Sequence, residues 1–182
     1  MPLIWLAEYC QCHTDICFFG VNYRVWQSMS LTQPEADFLL ALPKHAHPGT
    51  TLELSTSTPM DQDWELLSDD RREEFILTIE RGRKKIIRLK FQTRARTVVV
   101  LARLDLNGSP HRNPIGQPYR PGELLTSPHL HLYREGYDDR VAYLLNELPG
   151  SYSFSFADDL TALTQFLTFS AVEPIPPIQK RI

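Results

Sequence analysis

The stretch Phe75–Leu106, F-I-L-T-I-E-R-G-R-K-K-I-I-R-L-K-F-Q-T-R-A-R-T-V-V-V-L-A-R-L-D-L, decides the fold. Phe75, Leu77 and Ile79 alternate with Ile76, Thr78 and Glu80, and Ile87, Leu89 and Phe91 alternate with Arg88, Lys90 and Gln92. A period of two marks strands whose successive side chains point to opposite faces. Arg81-Gly82-Arg83-Lys84 between them reads as a hairpin turn, with Gly82 supplying a positive φ. Thr93–Arg96 reads as a second turn, and the β-branched, largely apolar run Thr97–Leu104 suits a central strand. Connections this short imply an antiparallel meander.

Upstream, Thr32-x-x-Glu35 is a capping box with Pro34 in the first turn, predicting a helix over Gln33–Leu42 whose apolar side is Phe38, Leu39 and Leu42. The H-A-H-P-G turn then places His45 and His47 in an exposed loop. Thr51–Ser55 reads as a short strand and the polar run Thr56–Asp70 as a loop. Downstream, about Leu106–Ser127 is a long Pro/Gly-rich connection of the kind that is functional or disordered. His129–Glu135 and Arg140–Leu145 read as two further strands around the turn Gly136-Tyr137-Asp138-Asp139. A last helix begins near Ser155 or Ala157, with Asp158 and Asp159 in its first turn and Leu160, Leu163, Phe166 and Leu167 as its apolar stripe. The expected fold is therefore α+β: an antiparallel β-meander sheet with an N-terminal and a C-terminal helix on one face, the other face partly open. The expected organisation is an irregular extension over 1–28, a single domain over 29–173 and an extended tail over 174–182.

At 182 residues, with 42% hydrophobic and 23% charged residues, the chain has the make-up of one globular domain. The net charge of -3 argues against polyanion binding by the whole chain. The middle is different: Arg71, Arg72, Arg81, Arg83, Lys84, Lys85, Arg88, Lys90, Arg94, Arg96 and Arg103 face only Glu73, Glu74 and Glu80. No apolar run is long enough to span a membrane, no signal peptide opens the chain, and the three cysteines are odd in number, which together point to a cytoplasmic protein. Cys10, Cys12 and Cys17 flank His13 but lack the two-residue gap of zinc knuckles. Regular sequence begins at Ser30, so Met29 rivals Met1 as the start.

The candidate site lies between Leu104 and Asp139, where L-D-L-N-G-S-P-H-R-N-P-I-G and S-P-H-L-H-L-Y-R-E-G-Y-D-D hold His111, His129 and His131. Histidine titrates nearest neutrality and is the usual proton carrier or metal ligand. Alternation puts Leu130 and Leu132 toward the core and His129, His131, Tyr133 and Glu135 on the open face. This pattern suits cleavage of RNA without metal or other cofactor. His129 and His131 are expected to do the acid/base work, with His111 as rival for one role and Tyr133 as an alternative acid. Arg134 or Arg112 would clamp phosphate, Arg134 needing a twist or bulge to reach the histidine face. Arg88 and Lys90 would bind nucleic acid and Tyr137 would stack a base. Two other readings use the same residues: a His-x-His metal site completed by His111 with Asp105 or Glu135, and a non-enzymatic module that docks nucleic acid or protein.

L-T-Q-x-E-A-D-F-L-L at Leu31–Leu40, I-x-R-G-R at Ile79–Arg83, R-L-D-L-N-G-x-P-H-R-N-P at Arg103–Pro114 and P-H-L-H-L-Y-R-E-G-Y at Pro128–Tyr137 resemble an uncharacterised family of small bacterial and phage proteins. That resemblance runs from about Leu31 to Glu173 and implies no activity. Asp105, Asn107, Pro110 and His111, followed by Pro128, His129 and His131, are loosely similar to two motifs of TumE-like toxins of toxin–antitoxin systems. Arg112 stands where those toxins have a second histidine, and the spacer is longer. This second likeness implies a ribonuclease-like toxin with an antitoxin or other protein partner.

Overall fold

The computed structural model describes residues 30–85, 87–150 and 152–182. The cysteine cluster and the Met29 start lie outside the described residues. In chain order the elements are α1 (Gln33–Ala41), β1 (Lys44–Ala46), β2 (Leu52–Ser55), β3 (Met60–Ser68), β4 (Glu74–Arg81), β5 (Leu89–Ala95) and β6 (Val99–Leu106). They continue with β7 (His111–Arg112), β8 (Leu124–Leu125), β9 (His129–Arg134), β10 (Asp138–Leu144), α2 (Asp159–Phe169) and β11 (Ile178–Arg181). Seven strands form one antiparallel sheet in the order β1-β3-β4-β5-β6-β9-β10. The fold is α+β, as the alternation implies. Two small sheets accompany it: β11 runs parallel to β2, and β7 pairs with β8.

Both helix starts follow their caps. The Thr32 side chain accepts from Glu35 N–H while the Glu35 carboxylate accepts from Thr32 N–H, and Asp158 accepts from Thr161 N–H at 2.8 Å. α1 buries Ala36 and Leu39, not Phe38, which is 62% exposed. Positions 36 and 39 are three apart and stack on one face, whereas 38 is turned about 100° away from 39. α1 contacts β6 and β9, and Phe166 of α2 packs on Phe91 of β5 with ring centroids 5.9 Å apart.

Three local expectations are corrected. The polar run after Ser55 is not a loop: β3 pairs with β4 over eight positions, and its outward Asp63 accepts from Thr78 and Arg94. Polar residues on the solvated side of an antiparallel strand are ordinary. The segment at His45 is strand β1, with His45 Nε2 against Asp69 and His47 Nε2 3.8 Å from Glu65. Gly82 does not carry a positive φ; instead a Cβ there would sit 2.7 Å from the Lys85 carbonyl oxygen. Close approach of backbone, not handedness, makes glycine necessary at that turn.

The long connection after β6 is folded, not open. Asn113, 1% exposed, donates from Nδ2 to Ala142 O at 2.9 Å and Tyr119 O at 3.1 Å, and its Oδ1 accepts from Ala142 N–H at 2.8 Å. Its amide thus pairs with both backbone groups of Ala142 on β10 as a neighbouring strand would. Replacing Asn113 with alanine orphans these groups and is expected to cost about 2–3 kcal/mol. Urea denaturation checks this; a loss within about 0.5 kcal/mol, the usual range for surface changes, would refute the pinning role.

Candidate functional site

Register builds the site. β6 and β9 pair so that Asp105 lies opposite His129 and Arg103 opposite His131. Directly paired residues share a face with Cβ atoms about 5 Å apart, so the four side chains form one block. Leu104 and Leu130, paired between them and fully buried, take the other face. The split of β9 into histidine and leucine sides holds.

The histidine face is not open. His129 is 0% and His131 1% exposed. The connection carrying β7 folds back, and its His111 ring sits 4.5 Å from the His131 ring and 6.0 Å from that of His129. His111 is half-buried and donates from Nε2 to Arg140 O at 2.9 Å.

The hydrogen bonds assign the tautomers. His129 Nδ1 is 3.2 Å from Thr126 O and His131 Nδ1 is 2.8 Å from Asp139 O; a carbonyl only accepts, so both Nδ1 atoms carry the proton. In the neutral rings both Nε2 lone pairs then face the block. His131 Nε2 is 3.4 Å and His129 Nε2 3.6 Å from Asp105 Oδ2. Arg103 Nη2 donates to His131 Nε2 at 2.9 Å, and the guanidinium also pairs with Asp139 and, at 3.4 Å, with Asp105. His129 Nε2 has no hydrogen-bond partner among the described residues.

Burial works against charge on Asp105, yet Nε2–H donation from His129 and His131 in their charged form, together with the Arg103 guanidinium, holds its carboxyl well below the ordinary carboxylate range. Burial, with Arg103 adding to it, pushes His131 down, and Asp105 opposes the shift.

The block forms the floor of a groove of about 570 Å³ whose other wall is the β4–β5 hairpin. Arg83, Lys84 and Lys85 line that wall, exposed and without an ion pair among the described residues. Arg88 and Lys90 also line it, Arg88 donating to Ser109 Oγ at 2.7 Å and Lys90 pairing with Glu80.

The remaining expected residues stand elsewhere. Tyr133, 3% exposed, donates to Leu31 O at 2.7 Å beside α1. Alternation assigns it the histidine side, but it lies about 6.7 Å further along the strand, at the irregularity that β10 makes between Asp138 and Val141. Arg134 donates to Tyr143 Oη at 2.7 Å and stacks on that ring, in a second groove with Tyr133 and Gln33. Arg112 neighbours His111 on β7, so its side chain turns the other way, toward Gly122 O at 2.5 Å. Tyr137 packs near Gly116 and does not line the histidine groove; a Cβ on Gly116 would be 3.1 Å from its hydroxyl. Glu135, weighed as a metal ligand, accepts from Gln33 N–H instead.

Arg103 was missed as a site residue and Asp105 counted only as a ligand. Arg103-x-Asp105 repeats the period of His129-x-His131, and that shared period was the available signal. Both motif segments are thus set side by side by one strand pairing. Residues 31–172 match the family described as Family of unknown function (DUF6978). The chain belongs to this family. No curated protein and no solved structure matches it. All four residues of the block, the hairpin cations and His111 fall inside the DUF6978 span, and the tail strand β11 falls outside it.

Proposed function

We propose that the chain is a ribonuclease-like protein that takes single-stranded RNA into the groove and cleaves it at the histidine floor. The observation that carries this reading is the convergence of three imidazoles, a guanidinium and a carboxylate under a wall of unpaired cations. Arg83, Lys84 and Lys85 supply the field that attracts a phosphate backbone. His111 reaches solvent and serves as one proton carrier; His131, next to it, serves as the other. One takes the 2′-hydroxyl proton as the 2′-oxygen attacks phosphorus, and the other gives a proton to the departing 5′-oxygen. Arg103 stabilises charge on the phosphorane. The products are a 2′,3′-cyclic phosphate and a 5′-hydroxyl. The motif likeness to TumE-like toxins supports the same chemistry, in a cytoplasmic protein with an antitoxin partner.

The test is incubation of the purified chain with a short labelled RNA and analysis of its ends. Cyclic-phosphate products are expected; intact RNA would sink the cleavage reading. The burial of His129 and His131 favours one rival, a groove that binds RNA without cutting it, and intact but bound RNA would establish that rival. Reversing Arg83, Lys84 and Lys85 to glutamate is expected to weaken RNA binding and flatten its salt dependence by roughly two to three phosphate contacts. An unchanged salt slope in a filter-binding titration would take RNA off this wall.

A further inference from the structure

We propose that Asp105, His129 and His131 form a binding site for one divalent transition-metal ion of the imidazole-preferring class. One ligand atom from each of the three side chains lies within 4.8 Å of the others. The two histidine–carboxylate gaps, 3.4 and 3.6 Å, approach the roughly 3.3 Å edge of a tetrahedron built from zinc bonds of about 2.0–2.1 Å. Three donors of this kind leave a coordination position open.

The protonation pattern gives the second, independent argument. With both Nδ1–H groups held by carbonyls, the neutral rings turn two Nε2 lone pairs toward the carboxylate; that of His131 accepts from Arg103, and that of His129 has no donor among the described residues. His129 Nε2 is the sharpest case: fully buried, unpartnered and aimed at the carboxylate. A buried acceptor without a donor is unfavourable, and a cation at the centre removes that penalty. An imidazole that donates its far N–H to a backbone carbonyl is also the usual outer support of a metal-bound histidine.

Arg103 explains how the block stands without an ion. Its guanidinium places one positive charge against His131 and Asp105, and it is anchored from outside by Asp139. Binding a metal requires that the Arg103 contacts with both His131 and Asp105 be released. Arg103→Met is therefore expected to bind metal at least as tightly as the wild type.

The inference does not depend on RNA cleavage. Should the groove cleave RNA with the ion in place, the ion would act as a Lewis acid on the phosphate, and His131, with Nδ1 on Asp139 O and Nε2 on the ion, would give up the proton-carrier role to His111 and a metal-bound water.

The experiment is zinc titration calorimetry and metal analysis on the full chain, with cobalt substitution read by visible absorption. Wild type is expected to bind about one equivalent, the cobalt spectrum to lack thiolate charge-transfer bands, and Cys10→Ser/Cys12→Ser/Cys17→Ser to retain the binding. Asp105→Asn and His129→Ala, with native circular dichroism, are expected to lose more than the roughly 10–100-fold that outer-shell changes produce. Absence of stoichiometric binding by wild type overturns the site. So does binding that vanishes with the cysteines or survives in Asp105→Asn, whose near-isosteric side chain guards against misfolding. Zinc binding with RNA left whole defeats the proposed function alone, and RNA cleavage without zinc binding defeats this site alone.

Discussion

Replacing Lys44 with methionine is expected to lower the unfolding free energy by about 3–5 kcal/mol, a large share of the 5–15 kcal/mol typical of a domain. Lys44 is fully buried, and no carboxylate faces it. Its Nζ donates to Leu40 O at 2.9 Å, Leu42 O at 2.8 Å and Ser170 O at 2.9 Å, and sits 4.6 Å above the Phe75 ring. One ammonium thus closes the C-terminal ends of both helices, where backbone carbonyls lack helical partners. Methionine fills similar space and leaves three buried acceptors unsatisfied. Burial also pushes the Lys44 amine down to about 7, against about 10.4 in an unfolded chain. Between those values the unfolded chain holds a proton that the folded one lacks, so stability rises with pH. The contribution is fully present above about 10.4 and lost as pH falls to about 7. Wild type compared with Lys44→Met by urea denaturation near pH 7 and near pH 9 should therefore show a wider gap at the higher pH. An equal gap would mean that the three carbonyls keep the proton on the amine.

His111→Ala is expected to reduce RNA cleavage by about 10²–10⁴-fold, the usual worth of a positioned proton carrier. Stability should hardly change, because the one side-chain hydrogen bond lost among the described residues is the exposed one to Arg140 O. His111 is the histidine of the cluster that meets solvent, half-buried where His129 and His131 are buried, and under the proposed function it is one of the two proton carriers. Cleavage rates measured at saturating RNA separate this from weakened binding. A rate within a factor of about three of wild type would remove His111 from the chemistry, since catalytic proton transfer contributes far more than that.

Much of the scaffold was legible because its signals are local. The capping box at Thr32–Glu35, the alternation in β4, β5 and β9 and the apolar stripe of α2 each depend on a few neighbouring residues. β3 was not legible: a polar strand whose outward Asp63 is matched by Thr78 and Arg94 of other strands has a loop's composition. Lys44 gave no signal either, since only the docking of Ser170 beside α1 makes a buried lysine tolerable.

By itself, the sequence determined that the chain is α+β, that it carries a basic centre, and that His129 and His131 share one side of a strand. Side-chain alternation and local charge suffice for those conclusions. Tertiary structure alone decided which residues meet the histidines. Pairing of β6 with β9 brings up Arg103 and Asp105, and the folded-back connection lays His111 over the pair. It also decided what stays away: the bond to Leu31 O holds Tyr133 beside α1, and opposite facing sends Arg112 from His111. Register, twist and loop closure are long-range properties, fixed by packing between segments far apart in the chain, and a site built from two strands and a loop inherits that dependence.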